Sequence, residues 1–284
     1  MAERQARPDA NVRPPAPEPL PVPVVDNHTH LDHEDHEDVD TLLEMAAAAG
    51  VPRSIQIGCD VPAARWTAAA VDRHPELLGG VAIHPNEAPR LAVAGALDDA
   101  LNEIEQLLGH PRIGVVGETG LDFFRTDRDD AKAIAAQEES FRAHIELAKR
   151  LGLPLQIHDR DAHADVIRVL EDAGAPDRTV FHCFSGDAEM ARYCAARGWY
   201  LSFAGTVTFK SAAGLRGALL ATPPEQTLVE TDAPYLTPVP YRGRPNAGYL
   251  VPLTVRAMAE VRGMPVEDVC LALNTATEAV YGTW

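Results

Sequence analysis

From Val22 onward the chain alternates between short apolar runs and amphipathic, alanine-rich stretches, and that alternation leaves few folds open. Strands are expected at Val22–Val25, Arg53–Ile57, Gly79–Ile83, Ile113–Gly117, Leu153–Ile157, Thr179–Phe181, Tyr200–Phe203 and Thr227–Glu230. Helical patterns lie between them, clearest at Leu97–Leu108, Ala131–Arg150, Asp165–Ala173 and Ala188–Ala196. Gly50, Gly109, Gly152, Gly174 and Gly198 stand where helices should stop, because a left-handed C-cap suits glycine. Strands joined through helices run parallel. Closing such units into one ring removes the edge strands, so the expected class is α/β, a single (β/α)₈ TIM-type barrel. An open doubly wound sheet would call for a glycine-rich phosphate loop after the first strand, and none follows it. The helical pattern from Val251 to Trp284 is expected to close the domain.

The 284 residues, 46% of them hydrophobic, suit one such unit, since barrels commonly use ~250 residues as one domain. The barrel is expected over residues 21–284. Met1–Leu20 carries Pro8, Pro14, Pro15, Pro17 and Pro19 and is expected to be a disordered leader. It has Arg4, Arg7 and Arg13 but no apolar segment after them, so it does not read as a secretory signal. No apolar run has the length of a membrane span. A net charge of −17 argues against sequence-blind attraction to nucleic acid or anionic membrane, both of which need a basic face. Cys59, Cys183, Cys194 and Cys270 form no CxxC pair and are expected to be reduced thiols in a cytoplasmic protein. No segment marks an obligate protein partner.

The chemistry concentrates where strands end, which in a barrel is the mouth. In Asp26-Asn27-His28-Thr29-His30, period-2 alternation puts His28 and His30 on one side. Glu118 follows apolar strand residues between glycines, and a carboxylate buried there needs a compensating partner. His158 and His182 each follow an apolar strand and precede a polar loop. After the eighth strand, Glu230 and Asp232 share a facing; Asp232 is preferred because it lies later, at the mouth. Any one of these alone reads as an ordinary structural residue. Four histidines and two carboxylates at one end of a barrel read as a metal centre, because structural histidines have no reason to gather there. No lysine ends an expected strand, which disfavours a carbamylated-lysine bridge.

These residues resemble the TatD-like metal-dependent hydrolases, also called TatD-related deoxyribonucleases, within the amidohydrolase-like barrels. The resemblance rests on Asp26-Asn27-His28-Thr29-His30-Leu31, Gly117-Glu118-Thr119-Gly120-Leu121-Asp122, His158-Asp159-Arg160, His182-Cys183-Phe184-Ser185-Gly186 and Glu230-Thr231-Asp232-Ala233-Pro234-Tyr235-Leu236. Ile83-His84-Pro85 and Tyr241-Arg242-Gly243 are smaller matches, and the whole spans about Val24 to Tyr281. It implies one or two divalent cations and phosphodiester hydrolysis, with 3′–5′ exonuclease action on DNA. It also implies that His28 and His30 bind one cation, His158 and His182 a second, that Glu118 bridges them, and that Asp232 completes the first site beside the nucleophilic water. Ala247-Gly248 stands where the family usually has Glu-Pro, so a final substrate loop is expected to differ.

The expected metals are Mg, Mn, Zn, Fe or Ni: imidazole favours the later transition ions and carboxylate tolerates Mg. Asp232 and Glu118 are the expected catalytic carboxylates. Arg160, with Arg242 or Arg244, is expected to meet phosphate oxygens, His84 to join substrate binding, and Phe123, Phe124 or Tyr235 to stack bases. The expected partners are single-stranded DNA ends or a small phosphoester. The acidic stretch Asp32-His33-Glu34-Asp35-His36-Glu37-Asp38 would repel a polyanion if it overhangs the mouth; His33 and His36 are a weaker candidate for an extra metal than for a solvated loop. Two other readings remain: hydrolysis of a small amide, ester or lactone on the same cage, and a non-catalytic metal-binding protein. Structural zinc sites are usually closed by four ligands, whereas six candidates around a mouth leave room for water.

Overall fold

The computed structural model describes the backbone of residues 12–33 and 36–284, and the side chains of all these except 36–38. Eight parallel strands form one sheet in sequence order: β1 Val25–Thr29, β2 Arg53–Gly58, β3 Leu77–Val81, β4 Ile113–Asp122, β5 Leu155–Arg160, β6 Thr179–Phe181, β7 Tyr200–Phe203 and β8 Thr227–Val229. A parallel bridge from Thr29 to Ala233 and the bonds Asp232 N→His28 O and His30 N→Ala233 O join the first strand to the last. The fold is a single (β/α)₈ barrel.

The crossover helices are α1 His36–Ala48, α2 Val61–Arg73, α3 Ala88–Val93, α4 Leu97–Leu107, α5 Ala131–Leu151, α6 His163–Ala173, α7 Ala188–Ala195 and α8 Ala213–Ala221. Asp60, Asp130 and Asp187 cap α2, α5 and α7 by accepting backbone N–H bonds of the first turn. Gly50, Gly152, Gly174 and Gly198 take positive φ after their helices, but Gly109 does not; there the chain leaves α4 through a turn with ordinary backbone.

The last helices, α9 Val251–Arg262 and α10 Val266–Tyr281, close the domain as expected. Ile55, Ile57, Leu78 and Val115 pack with Tyr281 and Trp284, while Val180 and Leu228 pack with Ala276 and Val280. The end of the chain therefore completes the apolar plug of the barrel. This layer seals one end and leaves the strands' C-terminal ends for polar residues.

Two strand boundaries move with consequences for the site. Register shifts interrupt β1 between Asp26 and Thr29 and β4 between Val116 and Thr119. A bulge adds a residue, bends the strand and re-aims the side chains beside it. Strand β4 thus continues past Gly117 to Asp122 instead of stopping, and Glu118 sits in the bulge. Strand β5 likewise runs on to Arg160, so His158 lies within the sheet.

Residues 12–20, expected within the leader, have neither helix nor strand but lie against the barrel. Tyr249 Oη donates to Pro14 O, Arg244 donates to the carbonyls of Val12 and Arg13, and Arg256 donates to Pro19 O. Leu20 is buried and its N–H bonds Ala49 O. Proline-rich chain lacks internal bonding yet keeps its carbonyls, and here arginine and tyrosine take them up. The packed part of the chain consequently begins ahead of Pro21. Residues 1–11 of the expected leader, and Glu34 and Asp35 of the acidic stretch, lie outside the described residues, as do the side chains of His36, Glu37 and Asp38.

Candidate metal centre

His28 and His30, two residues apart on β1, present their Nε2 atoms to each other at 3.1 Å. On the far side of each ring, His28 Nδ1 is 2.8 Å from Gln156 Oε1 and His30 Nδ1 is 3.1 Å from Ile57 O. Gln156 donates its Nε2 to Asn27 O and Tyr281 Oη, which fixes its Oε1 as an acceptor. Both Nδ1 atoms are therefore donors, and both Nε2 atoms turn inward. Asp232 Oδ1 stands 3.8 and 3.4 Å from these two nitrogens, and Glu118 Oε1 stands 3.8 and 3.6 Å away. Two carboxylate oxygens and two imidazole nitrogens facing one another call for positive charge among them, as a proton or a cation. Ligand atoms about 2.1 Å from a tetrahedral cation are about 3.4 Å apart, which matches this spacing.

The other oxygen of Glu118 faces a second pair. Oε2 is 2.8 Å from His182 Nε2 and 3.0 Å from His158 Nδ1. These rings too are held from behind: His182 Nδ1 lies 3.2 Å from Glu230 Oε1, and His158 Nε2 lies 3.2 Å from Asp122 Oδ2. A carboxylate or carbonyl on the outer nitrogen of each imidazole is the arrangement that orients metal-binding histidines. His28 and His182 stack with ring centroids 3.9 Å apart, so the two donor sets are contiguous.

The electrostatics favour positive charge. Burial works against ionising Glu118, but the histidines around it hold its carboxyl well below the usual range. Burial also opposes charge on His30, yet Asp232 and Glu118 push it up to about 10. Burial again opposes charge on His182, and Glu118 and Glu230 outweigh it, raising that ring well above its ordinary value. His28, fully buried among other histidines, is pushed well down and keeps a free lone pair. The donor atoms around Glu118 lie at spacings that suit cations: His28, His30 and Asp232 form one group, His28 and His182 close on Glu118 in another, and His84 and His158 in a third.

His84 is different. Its Nδ1 accepts from Asn86 N at 3.0 Å, so its proton sits on Nε2, 3.9 Å from Glu118 Oε2. Burial lowers its pKa to about 3, leaving a neutral ring that presents an N–H to the mouth. That suits contact with a substrate oxygen better than metal ligation.

All six expected ligands are thus brought together. Asp232 reaches the cluster from a left-handed residue, φ 55°, beyond the end of β8; strand alternation does not extend to it. Glu230, the rejected alternative, orients His182. The cluster opens into a cavity of about 980 Å³ whose wall includes Arg90, Arg125, Arg160 and Tyr235. The guanidinium of Arg160 lies 3.8 Å from the ring centroid of exposed Phe124. Arg242 does not line this cavity; it stands over Phe209, at 4.3 Å. Arg244 is spent on the carbonyls of Val12 and Arg13. Phe123 packs against the core beneath Arg128, while half-exposed Tyr235 stays at the rim near His30 and His33. Ala247 and Gly248 are not in the cavity lining, and a side chain at Gly248 would meet Ala46 and Asp26.

Sequence reasoning missed Gln156, Asp122 and Cys59. Gln156 and Asp122 each stand at even spacing from a ligand on the same strand, His158 and Glu118, and that spacing was the available signal. Cys59 Sγ, 3.2 Å from Glu118 Oε1, follows β2 with no such marker. All four cysteines are free thiols. No helix among the described residues is long and apolar enough to cross a membrane.

Residues 25–282 match the family described as TatD related DNase. The chain is 47% identical to the "Uncharacterized metal-dependent hydrolase TatD" of Mycobacterium tuberculosis over 91% of its own length and 98% of that protein. It is 34% identical to the "Uncharacterized metal-dependent hydrolase YabD" of Bacillus subtilis, covering 86% of this chain and 93% of that one. Among solved structures it is similar to the TatD homologue YJJV of Escherichia coli, with a TM-score of 0.84 and 26% identity, covering 92% of this chain and 98% of the other. With the family matched across the whole barrel, the chain belongs to the TatD family of metal-dependent hydrolases.

Proposed function

We propose that the protein cleaves phosphodiester bonds at the ends of DNA strands, using two divalent cations held on either side of Glu118. One observation carries this reading: Glu118 turns Oε1 to the His28–His30 pair and Oε2 to the His158–His182 pair. Two cations so placed would acidify water and draw charge from the phosphoryl oxygens. Asp232, at the open edge with 15% of its side chain exposed, orients the attacking water and accepts its proton. The Nε2–H of His84 donates to a phosphoryl oxygen as negative charge grows there. Arg160, stiffened by Phe124, binds the neighbouring phosphate as a planar fork.

The family description as a DNase supports the substrate class, and Arg125 and Arg160 line the cavity for an anion, while Arg90 is paired with Glu87. The net charge of −17 favours a short or single-stranded end over long duplex. The test is an activity panel with metal-reconstituted protein, covering single-stranded DNA, RNA, bis-p-nitrophenyl phosphate and simple lactones. Release of mononucleotides from 3′ ends supports the proposal. Turnover of lactone alone would replace it with small-ester hydrolysis.

A further inference from the structure

A second cavity, of about 810 Å³, opens beside the metal centre between α6, α7 and α8. The two cavities share Cys183, Ser185 and Thr206 in their linings, so they adjoin at this loop. Their chemistry differs. The metal cavity carries Arg90, Arg125 and Arg160 together with Glu87, Asp127, Asp130 and Asp159, and it holds the donor set for cations around Glu118. No lysine or arginine is among the described residues that line the second cavity, and Asp187 and Glu189 stand in its wall. The guanidinium of Arg242, 4.3 Å over the ring of Phe209, stands outside this lining. Phe209, Met190 and Leu215 supply apolar surface, and the hydroxyls of Ser185 and Thr206 supply polar groups. His163, fixed by Asp159 Oδ2 at 2.7 Å from its Nδ1, adds a ring from the start of α6.

We infer that this second cavity seats a nucleoside, the neutral base and sugar adjoining the phosphate held at the metal centre. The inference rests on the phosphodiesterase reading and names the part of the substrate that gives it purchase. A nucleotide chain alternates an anion with a neutral, flat, hydrogen-bonding ring. The paired cavities alternate in the same way, with arginines in one and aromatic and hydroxyl groups in the other. Base-to-aromatic stacking tolerates every base, so the seat confers affinity for a strand end with little sequence preference.

Gly214, at the first turn of α8, lines the cavity, and nothing lies within 4 Å of a Cβ built on it. Gly214→Trp therefore obstructs the seat without pressing on the barrel, and Phe209→Leu removes the ring while keeping apolar bulk. With manganese-loaded protein, thymidine binding is measured by calorimetry for parent and variants. Hydrolysis of thymidine 5′-(p-nitrophenyl phosphate) is compared with that of methyl p-nitrophenyl phosphate, which has no nucleoside. The parent binds thymidine, and Gly214→Trp weakens this by about tenfold, within the range of losing one stacked base. The same variant raises KM for the thymidine diester about tenfold and leaves the methyl diester unchanged. Phe209→Leu shifts both thymidine readings in the same direction. Equal thymidine binding by parent and Gly214→Trp, binding by neither, or equal damage to both diesters overturns the inference. Thymidine binding that the variant abolishes, with neither diester cleaved by the parent, keeps the nucleoside seat and removes the phosphodiesterase reading.

Discussion

His28 and His30 hold their Nε2 atoms 3.1 Å apart while both rings donate their Nδ1 protons elsewhere, to Gln156 and to the carbonyl of Ile57. Two inner imidazole nitrogens are thereby fixed face to face inside a barrel. The stabilising partner of such a pair is a cation, and everything proposed for the site depends on that geometry.

Gln156→Leu removes the acceptor that sets the tautomer of His28. Cation affinity should fall about 10–100-fold, the usual effect of losing an outer partner of a metal-binding histidine. Competitive chelator titration measures it. Unchanged affinity would mean that His28 holds its orientation without Gln156.

His84→Ala should lower kcat about 100-fold, as expected for losing a donor to a developing oxyanion, while metal content per chain stays at the parental value. Metal analysis and turnover on the same sample separate the roles. A loss of bound metal would make His84 a ligand instead.

Much of this site was legible in the sequence. Alternation along one strand placed His28 and His30 together, and the apolar runs before Glu118, His158 and His182 put those residues at the mouth. What alternation missed lies where the backbone departs from a regular strand. The bulge in β4 carries that strand on to Asp122, past the expected end at Gly117, so no facing was assigned to Asp122. Asp232 sits in a left-handed turn, where facing has no meaning; its position past the strand, not its parity, was the sound argument. The roles of Arg242 and Arg244 depend on contacts with Phe209 and with residues 12–13, remote in sequence, and no local pattern announces them.

His144 gives a pH dependence separate from the metal centre. It is buried between β3 and α5, accepts from Ile83 N at Nε2 and donates from Nδ1 to Ser140 O. Burial lowers its pKa from 6.5 to about 4. Between these values the unfolded chain binds the extra proton. Stability is therefore full above pH 6.5 and falls as pH drops towards 4, by about 3 kcal/mol at roughly 1.4 kcal/mol per pH unit. Denaturant melts of His144→Gln should show a shallower fall over that window. Parallel pH profiles for the two proteins would contradict the assignment.

A chain beginning at Pro21 should be less stable than the parent by about 2–4 kcal/mol, through loss of buried Leu20 and the hydrogen bonds that hold residues 12–19. Its activity at low temperature should persist, because none of those residues lines the metal cavity. Calorimetry compares the two. An unchanged melting temperature would show that the segment contributes no stability.

Anomalous diffraction from crystals grown with manganese or zinc tests most directly whether Glu118 spans two cations. Two peaks about 3.5–4 Å apart are expected, one among His28, His30, Asp232 and Glu118 Oε1, the other among His158, His182 and Glu118 Oε2. No anomalous peak within reach of Glu118, or a single peak touching only one of its oxygens at saturating metal, would contradict it.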